Sequence, residues 1–173
     1  MTTSMTSTTD YRVELYLRGD TYGSYDRQQR ILQRVEGLES EGVVADTDVD
    51  ASWQRIRTPE QDCRDEALET YEELREWATE NGHRLEPAFQ RRNRSYIGTG
   101  VVDEVVVFPM VSLAVYDEND LQAVFPCADE SGEVYFTVQD CLDAFEREET
   151  DWFEQFAPVS VDRASPRLTV NAD

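Results

Sequence analysis

Arginine is the residue type whose placement could carry chemistry in this chain. All 16 basic side chains are arginine, and lysine is absent. Arg27, Arg30 and Arg34 recur at spacings of three and four, which sets them on one face of a helix. Arg91, Arg92 and Arg94, with Gln90, Asn93 and Tyr96, form the densest basic and hydrogen-bonding cluster. A guanidinium fork meets a phosphate, or the O6/N7 edge of a guanine, at two points at once, so both rows suit contact with a polyanion. The plainer reading of each row is a solvated face whose arginines pair with nearby glutamates.

The other reactive side chains point to no chemistry. Asp65, Glu66, Glu69, Glu72, Glu73, Glu76 and Glu80 crowd one stretch, but without a loop to fix their geometry they read as a hydrated acidic face. The three cysteines, Cys63, Cys127 and Cys141, are an odd number at wide spacing, which fits neither a disulfide framework nor a zinc site. His83, the one histidine, stands beside Gly82 where a helix should end and reads as structural or solvated. Carboxylates are so numerous that spacing singles out no acid and base pair. We expect no catalytic residue, no cofactor and no metal site.

Charge narrows the setting. The 37 acidic and 16 basic side chains give a formal net charge of −21. Repulsion of this size loosens a compact state in dilute buffer, yet at molar salt the Debye length is about 3 Å and the repulsion nearly vanishes. The composition therefore resembles that of haloarchaeal cytoplasmic proteins. Residues 1–100 hold 20 acidic and 13 basic side chains, and residues 101–173 hold the remaining 17 and 3, so the capacity to meet an anion lies in the first part. No run of eighteen apolar residues occurs, and the first ten residues lack the basic and apolar regions of a signal peptide, so no membrane span or secretion is expected.

Elements that would position these residues follow from periodicity. Residues 1–9 read as a disordered lead. Val13, Leu15 and Leu17 alternate with Arg12, Glu14, Tyr16 and Arg18, predicting a strand with its polar side outward. Residues 24–41 predict a helix with Ile31, Leu32, Val35 and Leu38 inward and Gly42 ending it. Val49, Ala51 and Trp53 then share a face of a second strand, over residues 48–56. Thr58, Pro59 and Gln61 signal a helix start, and that helix runs to Asn81. The basic cluster at 83–96 falls on a mobile connection. Residues 101–127 hold the densest apolar run, interrupted at Pro109 and turned at 117–120, and predict the central sheet, covered on both faces. Thr137, with Asp140 three later, caps a third helix. Order should decay from Glu146. Trp152, Phe153 and Phe156 form an acidic-aromatic island, either a docking turn or a contact for a protein partner, before a tail.

The expected fold is an α/β (α+β) two-layer sandwich of about five strands in the order β-α-β-α-β-β-β-α, with helices largely on one face. A single domain spans residues 10–149, with an acidic-aromatic segment and flexible tail at 150–173. Residues 30–44 resemble the recognition helix and first wing strand of winged helix-turn-helix regulators. They read more simply as the crossover of a right-handed β-α-β unit, from the strand at 11–18 through the helix to the strand at 48–56. More widely, the residues 13–18 with 27–29, 74–78 through 85–87 to 91–92, and 109–116 resemble a family of small acidic haloarchaeal helix-turn-helix domain proteins. That resemblance implies a DNA-binding or regulatory role, and the grouped positive charge of Arg27, Arg30, Arg34, Arg91, Arg92 and Arg94 would be the contacting set of such a regulator. The competing readings are a protein-interaction or small-ligand-sensing domain without nucleic-acid contact, and an enzyme whose acid and base the sequence does not reveal.

Overall fold

The computed structural model describes residues 11–19, 25–53, 56–57, 66–95, 98, 100 and 102–156. Its elements run β1 (Tyr11–Arg18), α1 (Tyr25–Ser40), β2 (Asp46–Trp53), β3 (Ile56–Arg57), α2 (Glu66–Glu80), β4 (His83–Arg84), β5 (Gln90–Ser95) and β6 (Val102–Val107). Then come β7 (Val111–Asp117), β8 (Asp120–Phe125), β9 (Cys127–Asp129), β10 (Tyr135–Phe136), α3 (Val138–Glu146) and a 3-10 helix (Thr150–Gln155). The mixed α/β class expected from the sequence holds. The strands are more numerous than five because short ones, β3, β4, β9 and β10, build two small sheets beside the main one.

The main sheet has the order β2-β1-β7-β8. β1 pairs parallel to β2 and antiparallel to β7, with Leu15 opposite both Val49 and Leu113, and Leu113 in turn lies opposite Phe125 of β8. A parallel pair needs a crossover, and α1 supplies it. β2 is therefore no wing hairpin, and of the two readings of residues 30–44 the β-α-β crossover is the one realised. α1 turns Ile31, Val35 and Leu38 inward, as its spacing predicts, and Gly42 ends it at φ +78°. Gln28 is also buried there, with its side-chain amide donating to the carbonyls of Arg18 and Met110, both at 3.0 Å. A buried amide satisfied in this way pins the first turn of α1 to the point where β1 ends and β7 begins.

Strand parity explains two departures from expectation. Tyr16, predicted to face outward, is 7 % exposed, because its ring stacks on Trp53 at 4.5 Å. Trp53 reaches that face because the β1–β2 register slips by one residue after Tyr16, pairing Arg18 with Trp53. The bulge sends Trp53 to the side opposite Val49, which is 40 % exposed, so the three residues do not share a face. Both faces of the sheet are consequently covered. Tyr11 and Phe145 of α3 meet edge to face on one side, while Tyr16 continues through Trp53 and Phe108 to Tyr71 of α2 on the other. The helices thus divide between the two faces rather than gathering on one.

The apolar run at 101–127 serves two sheets. β6 joins β3 and β5 in a separate three-stranded sheet, and after Pro109 the chain enters the main sheet as β7. Proline has no N–H for a ladder, so the residue that interrupts the run is also where the chain changes sheet. The basic segment is likewise a strand: Gln90 to Ser95 pair residue by residue with Val107 to Val102. Its polar alternation gives no apolar period, and the partner strand supplies the order.

Order does not decay after Glu146. Phe153 and Phe156 are 0 % exposed, and the buried Gln122 side chain donates to the Phe153 carbonyl at 2.8 Å. The folded body therefore extends to Phe156, seven residues beyond the boundary expected at 149. Thr137 caps α3 as predicted. Its hydroxyl accepts from the Asp140 N–H at 3.1 Å, and the Asp140 carboxylate accepts from the Thr137 N–H at 2.9 Å. The helix start expected at 58–61 and Cys63 lie outside the described residues; within them α2 begins at Glu66.

Candidate nucleic-acid interface

The helical arginine row forms, but its members do different things. Arg27 and Arg30 are exposed on α1. Arg34 is turned to α3: its Nε donates to Glu146 Oε2 at 3.0 Å, and its Nη2 donates to Glu146 Oε1 and Asp143 Oδ1, both at 2.8 Å. The hydrogen bonds to Glu146 lead among the causes that raise the Arg34 guanidinium above its ordinary value, and burial opposes them. With Nε and Nη2 engaged by two carboxylates, the fork that would grip a phosphate is occupied on that side. Arg34 is a tie between α1 and α3.

Replacing Arg34 by Ala should cost about 1 kcal/mol, near the upper end for a partly exposed pair because the fork is bidentate and serves two carboxylates. Urea unfolding would read this as a lower midpoint at an unchanged slope.

The strand row is divided by the pleat. Positions 90, 92 and 94 share one face of β5, and 91 and 93 the other. Arg91, half-buried, stands near Tyr71 of α2; burial raises the Tyr71 hydroxyl, and the Arg91 charge opposes that rise. Arg92 is exposed, its Nε donating to Gln90 Oε1 at 3.0 Å. Arg94 takes the ladder position opposite Asp103. Of the six arginines, Arg34 is drawn to α3, Arg91 stands beside α2, and Arg27, Arg30 and Arg92 are exposed, while the Arg94 side chain lies outside the described residues.

Trp152, Phe153 and Phe156 do not form a free partner surface. Phe153 packs on Tyr11, Phe125 and Phe145, and Phe156 on His83, Phe125 and Phe136, so burial removes both from any partner. His83 stacks on Trp77 at 5.2 Å, and burial holds its imidazole below the ordinary value. Cys127 and Cys141 are buried free thiols, and desolvation pushes Cys127 up to about 12, so neither is a ready nucleophile.

A cluster that the sequence displayed but that periodicity read as outward polar residues lies on β1. Arg12 and Tyr16 both donate to the Glu14 carboxylate, and the Arg12 guanidinium sits 4.4 Å over the Tyr116 ring. Burial, then the hydrogen bond to Glu14, raises the Tyr16 hydroxyl. Held between two donors, Glu14 is a structural acceptor rather than a free base. The i, i+2 spacing of Arg12, Glu14 and Tyr16 was the available signal. Among the described residues no group of three His, Cys, Asp or Glu side chains could hold a metal ion, and no helix is long and apolar enough to cross a membrane.

These features define a mixed α/β domain whose exposed arginines stand on a surface that is otherwise largely acidic. The chain belongs to the family described as helix-turn-helix domain, which matches residues 5–150. No curated protein and no solved structure matches it. Among the described residues each α-helix is separated from the next by strands, so the arginines of α1 are presented by a crossover helix lying on a sheet.

Proposed function

We propose that the protein is a DNA-associated transcriptional regulator working in the salt-rich cytoplasm of a halophilic archaeon. Membership of a helix-turn-helix domain family across residues 5–150 is the observation that carries this reading. The exposed Arg27 and Arg30 on α1 and the exposed Arg92 on β5 are available to meet DNA, and Arg94 takes a register position on the same face of β5 as Arg92.

Physical chemistry limits how they can act. With about four phosphate contacts, log affinity falls by about 0.9 per contact per decade of salt, roughly 10⁵-fold between 0.1 and 3 M. Phosphate contact alone does not survive that loss. Binding must then rest on base edges, where arginine to guanine is the commonest specific pair, and on shape.

The test is genomic occupancy in cells grown at their native salt. Arg27→Ala with Arg30→Ala, and separately Arg92→Ala with Arg94→Ala, should each abolish sequence-selective occupancy while the circular dichroism spectrum stays unchanged. Occupancy that persists in both variants, or a parent protein that selects no sequence, would overturn the reading.

A further inference from the structure

An open groove of about 310 Å³ lies between β10, the outer face of α3 and the 3-10 helix. Its volume is at the lower end of small-ligand sites. Three rings, Tyr135, Phe136 and Trp152, supply its apolar lining, and three carboxylates, Asp140, Asp143 and Glu149, stand against one guanidinium, Arg147. Tyr135 is 46 % exposed at its mouth. Trp152 is fixed by stacking on Phe125 at 5.7 Å and by an edge contact with Phe136 at 6.3 Å, so Trp152 and Phe136 are preorganised rather than free to collapse.

We propose that this groove binds a small organic cation with an apolar body, a quaternary or alkylated ammonium. Aromatic faces attract such a cation through their quadrupoles, and the methyl groups that weaken its hydration fit an apolar lining. The sign follows from the surplus of carboxylates over guanidinium along the groove itself, since at molar salt only charges within about 3 Å of the ligand act unscreened. An anion would meet Asp140 and Glu149 with only Arg147 to favour it. Asp143 is shared, since its Oδ1 already accepts from Arg34 of α1. The ligand and Arg34 compete for one carboxylate, which links the groove to the seating of α1. The site stands apart from the DNA reading, and binding is measured without DNA.

The experiment is a saturation-transfer NMR titration of the full chain at constant molar potassium chloride, with choline as probe and 3,3-dimethylbutanol as its neutral isostere. Choline should saturate in the low millimolar range, about −4 kcal/mol at 1 mM, and the isostere should bind at least about tenfold more weakly. Glu149→Gln, an exposed substitution, should weaken choline by about threefold. Arg34→Met, which releases Asp143, should strengthen it by a similar factor. Trp152→Leu should lose binding, with Trp152→Phe restoring part of it if the ring rather than the fold is at stake. Equal binding of choline and its isostere, absence of saturation, or affinities unmoved by Glu149→Gln and Arg34→Met would each overturn the proposal.

Discussion

Phe156→Ala should remove about 3–5 kcal/mol of folding stability, the range for deleting a fully buried ring that its surroundings cannot refill. Phe156 is 0 % exposed and lies within 4.8 Å of both Phe136 and Trp152, 5.1 Å of Phe125 and 5.4 Å of His83, measured between ring centres. These partners come from β10, the 3-10 helix, β8 and β4, so one ring closes a joint between the main sheet and the small sheet of β10, β9 and β4. A domain of ordinary stability holds only about 5–15 kcal/mol in total. The variant should unfold at a much lower urea concentration, and a chain ending at Glu149 should fare worse, because it also loses Phe153. A shift below about 0.5 kcal/mol, the usual scale of a surface change, would mean that the segment docks loosely.

The second large effect is on salt. Raising potassium chloride from 0.1 to 3 M should lift the thermal midpoint by about 10 °C or more, because each kcal/mol is worth about 2–4 °C in a domain of this size. The source is carboxylate crowding. Glu69, Glu72, Glu73, Glu76 and Glu80 are all exposed on α2, and Asp46 and Asp48 are exposed on the edge strand β2. Few of the arginines offset them locally: Arg75 reaches Glu72 at 3.2 Å on α2, while Arg34 is spent between α1 and α3. Screening shortens the reach of this repulsion from about 10 Å at 0.1 M to about 3 Å at 1 M. A melt that stays flat across the range would remove the expectation of a halophilic protein.

What the sequence made legible was whatever repeats locally. The inward Val13, Leu15 and Leu17 of β1, the stripe of α1, the Thr137–Asp140 cap and the β7 to β8 return are each written within a few residues, and each formed as expected. What depends on a distant partner was not legible. Tyr16 and Trp53 share a face only because β2 bulges; polar alternation at 90–95 becomes a strand only because β6 lies beside it; and the choice between docking turn and partner contact for Phe153 and Phe156 stayed open because their cavity is built by β1, β4, β8, β10 and α3. The arginine rows show the same division. Helical spacing placed Arg27, Arg30 and Arg34 correctly on one element, but the carboxylates that take Arg34 out of the row lie more than a hundred residues away. The separation of Arg91 from Arg92 follows from the pleat of a strand that composition alone made look like a loop.

The position of β1 bears on the order in which the chain can assemble. It occupies the middle of the main sheet although it is made before every other described element, and its antiparallel neighbour runs from Val111 to Asp117, about a hundred residues later. During synthesis at about 5–20 residues per second, β1 therefore waits roughly 5–20 s with one edge open. In that interval α1 can bring β2 to its other edge, but Leu15 and Val13 have no Leu113 or Val115 beside them. Sheet closure between such distant segments carries a large loop entropy and sets a slow folding rate. The dense negative charge then has a second consequence, since nascent chains exposing the same open edge repel one another while they wait.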